Sequence, residues 1–263
     1  MSFVSLRFLL FFPIAALVHW LLPSRARPVW LLAASYAFYM SAQPAYALLM
    51  AASTLVTYAG GRGIAAAQDA RKRFWLALCL LVNLGILAVF KYAGFFADTL
   101  CALGLCAPRR FSLIVPVGVS FYTFQSLGYV LDVYHGRLKG ETSLIRYALF
   151  VSFFPQLVAG PIEQAGSLLP QLRGDQRFDW LRARRGLLRM AWGFFLKLVI
   201  ADRLGAAVDA VFGGAFTGLT VAAGGALFAL QIYGDFAGYC SIAVGAADVL
   251  GVTLSENFCQ PYL

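Results

Sequence analysis

Apolar runs of very different lengths alternate with short basic loops along the chain, and those lengths set the first expectations. A helix rises about 1.5 Å per residue and the hydrocarbon core of a bilayer is about 30 Å thick, so one crossing takes roughly 20 residues. Trp75 to Gly94 fits that ruler, with Lys91 near one end where its stem can lie along lipid while the ammonium reaches the interface. Val29 to Gly60 does not fit. It is broken at Gln43-Pro44, which predicts a helical hairpin of two pieces, each somewhat short for a crossing. Phe8 to Leu22 resembles a signal-peptide core, yet only Arg7 precedes it and many apolar segments follow, so a retained first helix is predicted. Gly218 to Gly251 would measure roughly 50 Å as one helix, and Gly234-Asp235 near its middle predicts an interruption.

Three segments carry polar or helix-breaking residues that a lipid-facing helix has no use for. Residues 153 to 162 read Phe-Phe-Pro-Gln-Leu-Val-Ala-Gly-Pro-Ile. Pro155 has no N–H for the carbonyl of Val151, and Pro161 has none for Leu157. Broken backbone at membrane depth is tolerated where protein or a water-filled cavity surrounds it, so this segment is expected within a site in the membrane. Ser112 to Leu131 holds Pro116, Gly118 and the series Ser120, Tyr122, Thr123 and Gln125, whose side chains should face protein or water. Arg173 to Arg189 is basic and amphipathic, with Phe178, Trp180, Leu181, Leu187 and Leu188 near one face. It is expected on the cytoplasmic surface, capped by Asp179 and continuing into a span from Leu187 to Ile200.

Composition turns these pieces into a class. At 263 residues, 61% hydrophobic and 13% charged, with mean hydropathy +0.76, the chain lies outside the range of soluble domains. It reads as an all-α polytopic membrane protein, multi-pass in the cell inner membrane. No internal repeat, low-complexity tract or linker is visible, which predicts a single membrane domain over 1–263. The net charge of +9 does not indicate nucleic acid, because the basic residues sit between apolar spans without aromatic interleaving. They describe topology instead: Arg25 and Arg27, Arg62 with Arg71 to Arg73, and Arg173 to Arg189 mark cytoplasmic loops, and the amino terminus starts outside. Cys101 and Cys106 flank a short loop, but without any other disulfide framework two free thiols are expected.

Candidate chemistry is sparse. His19 beside Trp20 suits an interfacial anchor at the end of the first helix. His135 lies three residues after Asp132, which allows a dyad, although a structural loop pair is the better reading and two ligands make no zinc site. Val117-Gly-Val-Ser120 opens like a nucleophile elbow but has Tyr122 where the elbow needs glycine. Gly60-Gly-Arg-Gly63 lacks the spacing and lysine of a phosphate loop. No metal or cofactor site is predicted. Asp235 is the acid placed centrally in an apolar run, where an unpaired carboxylate costs at least about 2.5 kcal/mol, so a partner or water is required. It either lines a polar tunnel or ties helices together through Arg203, Lys197 or a backbone amide.

The ordered series Phe8 to Pro13, Ala34 to Tyr39, Phe90-Lys-Tyr92, Val117 to Gln125, Asp132-Val-Tyr134, Phe153 to Ile162, Lys197 to Asp202, Gln231 to Tyr239, Glu256-Asn-Phe258 and Pro261-Tyr262 resembles the membrane-bound O-acyltransferase family. Within it, the similarity is to the branch of alginate O-acetylases and related exopolysaccharide acetylases. The resemblance implies a helical bundle with short, broken and re-entrant helices around a funnel and tunnel. It implies an acyl donor on the cytoplasmic side and a polysaccharide or acyl-accepting partner protein on the outer side. It also implies a histidine general base acting on the acceptor hydroxyl, on a segment that follows the Pro-Tyr block in relatives.

Neither His19 nor His135 matches that histidine, so the chain is expected to be the amino-terminal part of an acyltransferase and inactive alone. Ser241 stands where alginate-type relatives often carry Asp, which leaves the acceptor open. Ser120, Tyr122, Gln125, Gln156 and Asp235 are the candidates for lining a tunnel. The rival readings are D-alanyl transfer to teichoic acid, a membrane transporter, and a non-catalytic scaffold of a polysaccharide export complex.

Overall fold

All regular structure among the described residues is helical; in this computed structural model those residues are 2–42, 44–104, 115–157, 160–214 and 218–258. In chain order the helices are α1 (Leu6–Leu21), α2 (Arg27–Met40), α3 (Tyr46–Ala66), α4 (Asp69–Ala102), α5 (Val119–Tyr134), α6 (Leu144–Ser152), α7 (Phe154–Leu157) and α8 (Ala165–Gln171). There follow α9 (Trp180–Phe195), a π-helical turn (Leu196–Ala201), α10 (Asp202–Gly213) and α11 (Leu219–Val249). Helices α4 and α11 are each long and apolar enough to cross a bilayer, and the chain is an all-α membrane protein. Two compact units share these elements. One comprises Met1–Trp30, Ala159–Glu163 and Arg173–Leu263; the other comprises Leu31–Val158 and Gln164–Leu172.

In the unit built on Leu31–Val158, α3 lies against α4 and α5. The predicted division of 29–60 is present as α2 and α3, while Gln43 itself lies outside the described residues. A buried polar tie joins α3 to α4: Ser53 Oγ donates to Asn83 Oδ1 at 2.5 Å, and Asn83 Nδ2 donates to Cys79 O at 2.9 Å. Lipid offers neither group a substitute, so such a tie fixes which helix faces meet. Tyr129, Tyr147 and Phe150 form an aromatic core with centroids 4.6 to 6.5 Å apart. The predicted span Trp75 to Gly94 lies inside the longer α4, which leaves Leu81, Phe95 and Phe96 exposed and available to lipid. Cys101 near its end is disulfide-bonded, which corrects the expectation of free thiols; Cys106 lies outside the described residues.

In the unit built on Arg173–Leu263, α9 packs along α11. The interruption expected between 218 and 251 is absent: α11 is one helix from Leu219 to Val249. Glycine weakens a helix by about 1 kcal/mol but keeps its N–H and so the hydrogen-bond ladder. The glycines of α11 serve close approach instead. A Cβ on Gly238 would stand 2.9 Å from Gly193 O, and one on Gly245 would stand 2.5 Å from Gly186 O. The two backbones therefore meet directly, as small-residue seams allow in membranes. Asp179 caps α9 as predicted, accepting from Leu181 N and Arg182 N.

His19 is not an interfacial anchor. It is buried at 1% exposure on α1, edge-on to Trp20, whose Nε1 donates to Val249 O at 3.0 Å. Trp20 in turn carries the Arg27 guanidinium 4.9 Å above its ring, and Arg27 donates to Gln176 O at 2.6 Å. The indole bonds the last turn of α11, so the neighbouring imidazole is carried inward with it.

Candidate functional site

Helix α6 stops at Ser152 and α7 restarts at Phe154, with Pro155 in its first turn. In an uninterrupted helix the carbonyl of Phe150 would accept from Phe154 N. Both halves of that lost bond are satisfied by side chains. Gln125 Nε2 donates to Phe150 O at 2.8 Å, and Phe154 N donates to Ser35 Oγ at 3.1 Å. Gln125 Nε2 also donates to Gln156 Oε1 at 3.1 Å, so two buried amides on α5 and α7 are linked across the break. The break is thus a built feature, held open by α2 and α5, as an irregular segment inside a membrane protein has to be.

The polar residues of α5 face inward as predicted. Tyr122, Thr123 and Gln125 are buried, while Ser120 in the first turn is half-buried. The hydroxyls of Tyr122, Thr123 and, on α2, Tyr39 have no hydrogen-bond partner among the described residues. Tyr36 and Tyr39 lie close enough to Tyr122 to interact with it electrostatically. A buried unpaired hydroxyl costs about 1–3 kcal/mol, so each of these groups calls for a water or another polar partner. Gly118, with φ of 74°, sets the start of α5, and a Cβ there would stand 2.7 Å from Leu157 O. Only glycine both adopts that left-handed backbone and admits that carbonyl.

Asp235 lies in the other compact unit, at mid-length of α11. Of the partners expected for it, the structure selects Lys197, whose Nζ is 2.6 Å from Asp235 Oδ1 and 2.7 Å from Asp202 Oδ1. The π turn makes this possible. Residues five apart on an α-helix point about 140° away from each other. Here Asp202 N bonds Lys197 O, the i→i+5 pattern that returns the chain to the same side. The ammonium also stands 5.6 Å over the ring of Tyr239, whose hydroxyl lies 3.2 Å from Ser2 Oγ. One cation between two carboxylates leaves a net negative charge, with both acids about half exposed.

The same unit holds the stretch after α11 in a set of bonds that the sequence did not predict. Arg182 of α9 donates to Asp248 Oδ1 at 3.1 Å, Gly251 O at 3.0 Å and Thr253 Oγ1 at 2.6 Å. Arg189 pairs with Glu256 at 2.8 Å. Glu163, buried beside Pro161 and Ile162, accepts from Ser255 N. Phe258 packs edge-on against Tyr233 and Phe236. Glu163 carried a signal that could have been used, an acid directly after a proline-broken apolar run. The inward turn of Arg182 and Arg189 carried none, because all six arginines of 173–189 look alike in sequence.

Asp132 and His135 form no dyad. His135 Nδ1 bonds Leu131 O at 2.8 Å, and Asp132 pairs with Arg137 at 3.6 Å. Each residue thus has its own partner in the turn, and the two do not pair with each other. Among the described residues no three His, Cys, Asp or Glu side chains cluster to hold a metal. Pro261 and Tyr262 lie outside the described residues.

No family model matches the chain. Among characterised proteins, it is 37% identical to the probable alginate O-acetylase AlgI of Azotobacter vinelandii, over 97% of this chain and 52% of that protein. It is 31% identical to the peptidoglycan O-acetyltransferase of Helicobacter pylori, over 96% of this chain and 54% of that protein. The match to the teichoic acid D-alanyltransferase of Bacillus subtilis is weaker, 27% over 58% of this chain and 40% of that protein. The chain spans about half the length of the curated relatives it matches. Over nearly its whole length the chain is thus similar to about half the length of the alginate O-acetylases, which are of the membrane-bound O-acyltransferase type.

Proposed function

We propose that this chain forms part of an inner-membrane, multi-pass O-acetyltransferase that modifies a secreted polysaccharide, with residues 1–263 contributing to one membrane domain. The observation that carries the reading is the alignment with alginate O-acetylases over 97% of the chain. The geometry supports it through the α6–α7 break, which keeps Gln125 and Gln156 buried and bonded beside unpartnered hydroxyls. Ser120, Tyr122, Gln125 and Gln156 are the candidates for lining an acyl or acceptor path within their own unit, and Asp235, paired with Lys197, is a separate candidate within its unit. The donor approaches from the cytoplasmic side and the acceptor, a polysaccharide or an acyl-carrying partner protein, from the outer side. Neither His19 nor His135 is assigned as general base, because neither matches the position of the histidine that the resemblance implies. D-alanyl transfer is the second reading, favoured by the partial match to a teichoic acid D-alanyltransferase.

Deletion of the encoding gene tests this. Ester-linked acetate on secreted polysaccharide should fall to background and return on complementation, including with His135→Ala. Loss of ester-linked D-alanine with acetate intact would favour the second reading, and no change in either would refute both.

A further inference from the structure

The arginines between Arg173 and Arg189 fall into two sets. Arg182 and Arg189 turn inward, onto Asp248 and Glu256. Arg173, Arg177, Arg184 and Arg185 are exposed and enter no ion pair among the described residues. On α9 the buried face is Ala183, Gly186, Met190 and Gly193, locked by its glycines against α11, so the opposite face cannot turn inward. At about 100° per residue, Arg184 and Arg185 flank a strip containing Leu181, Leu188 and Trp192. Those three are 58%, 61% and 57% exposed, and Trp180 in the first turn is 67% exposed. The outward face is therefore apolar along its centre and cationic at its edges.

That arrangement states the chemistry of its occupant. A purely acidic surface would pair with the guanidinium groups but leave the leucines and tryptophans against polar groups. A bilayer interface takes both, because arginine stems run along acyl chains while their heads reach phosphate, and tryptophan settles at headgroup level. We propose that this face of α9 binds anionic phospholipid headgroups, with Arg184 and Arg185 on the phosphates, Trp180 and Leu181 in the interface beside them, and Leu188 and Trp192 along the acyl chains below.

The test uses the whole chain reconstituted in mixed phosphatidylcholine and phosphatidylglycerol bilayers, with bromine carried by one lipid or the other and tryptophan fluorescence as readout. Quenching should give a preference for phosphatidylglycerol of at least about threefold, each arginine near the surface adding to the attraction. Arg184→Gln/Arg185→Gln should bring it close to one, and Arg184→Lys/Arg185→Lys should keep it. Trp180→Phe/Trp192→Phe retains every charge and should remove most of the differential signal, which tests the site even if the glutamine variant does not fold. An unchanged preference in the glutamine variant overturns the proposal. So does an equal loss in Arg71→Gln/Arg73→Gln, which would mean bulk charge alone. A wild-type chain with no preference for phosphatidylglycerol also overturns it, the result expected if the face docks on an acidic protein or nucleic acid.

Discussion

Gln125 on α5 donates to Phe150 O, the carbonyl that the α6–α7 break deprives of its helical donor. The same amide nitrogen reaches Gln156 beyond the break, so one side chain binds both sides of the interruption. The irregular backbone and the buried amide thus depend on each other.

Gln125→Leu keeps the volume but leaves Phe150 O and Gln156 Oε1 without that donor. A loss of about 2–6 kcal/mol is expected, from roughly 1–3 kcal/mol for each of the two buried unsatisfied groups. Thermal unfolding in detergent would show it. The double variant Gln125→Leu/Gln156→Leu should lose less than the sum of the two single variants by more than about 0.5 kcal/mol. Strict additivity would mean the two amides are not coupled.

Gly118→Ala forces a side chain into a left-handed backbone position, at a cost of roughly 1–2 kcal/mol, and against Leu157 O. Gly128 on the same helix has open space around it, so Gly128→Ala should be neutral or stabilising by up to about 1 kcal/mol. Comparing the two melting temperatures checks the claim. Equal effects would remove Gly118 from its special role.

Asp235→Asn removes one of two carboxylates on Lys197 and leaves Asp202 in place, so protein level in the membrane should stay near wild type. Lys197→Met leaves two acids facing each other without a cation, and accumulation should fall several-fold. Asp235→Leu should fall between these. Immunoblots of membrane fractions give the order. Normal accumulation of Asp235→Asn and Asp235→Leu together with loss of acetylation in both would make Asp235 a chemical participant.

The excess of basic residues near span ends predicts that the loops at Arg71 to Arg73 and Arg173 to Arg189 are both cytoplasmic. Single cysteines introduced at Gln68 and Gln176 should react with a membrane-impermeant maleimide only after the cells are opened. Labelling of either one in intact cells would reverse the assignment for that loop.

The hydropathy pattern by itself determined the all-helical membrane class, the division of 29–60, the inward polar face of α5, the break near Pro155 and the cap at Asp179. Each depends on local chemistry: span length, a missing N–H, a short side chain with an acceptor. It misread α11, because glycine and aspartate in an apolar run signal a break as readily as a packing seam and a paired acid. Tertiary structure alone decided which. The partner backbone of α9 lies against Gly238 and Gly245, and Lys197, which the π turn aligns with Asp202, meets Asp235. His19 shows the same limit, since a histidine beside a tryptophan is equally at home in an interface or a core until Trp20 finds Val249 O. The replacement of the Phe150 and Phe154 backbone bond by Gln125 and Ser35 joins residues more than twenty positions apart, and periodicity carries no information about such pairs.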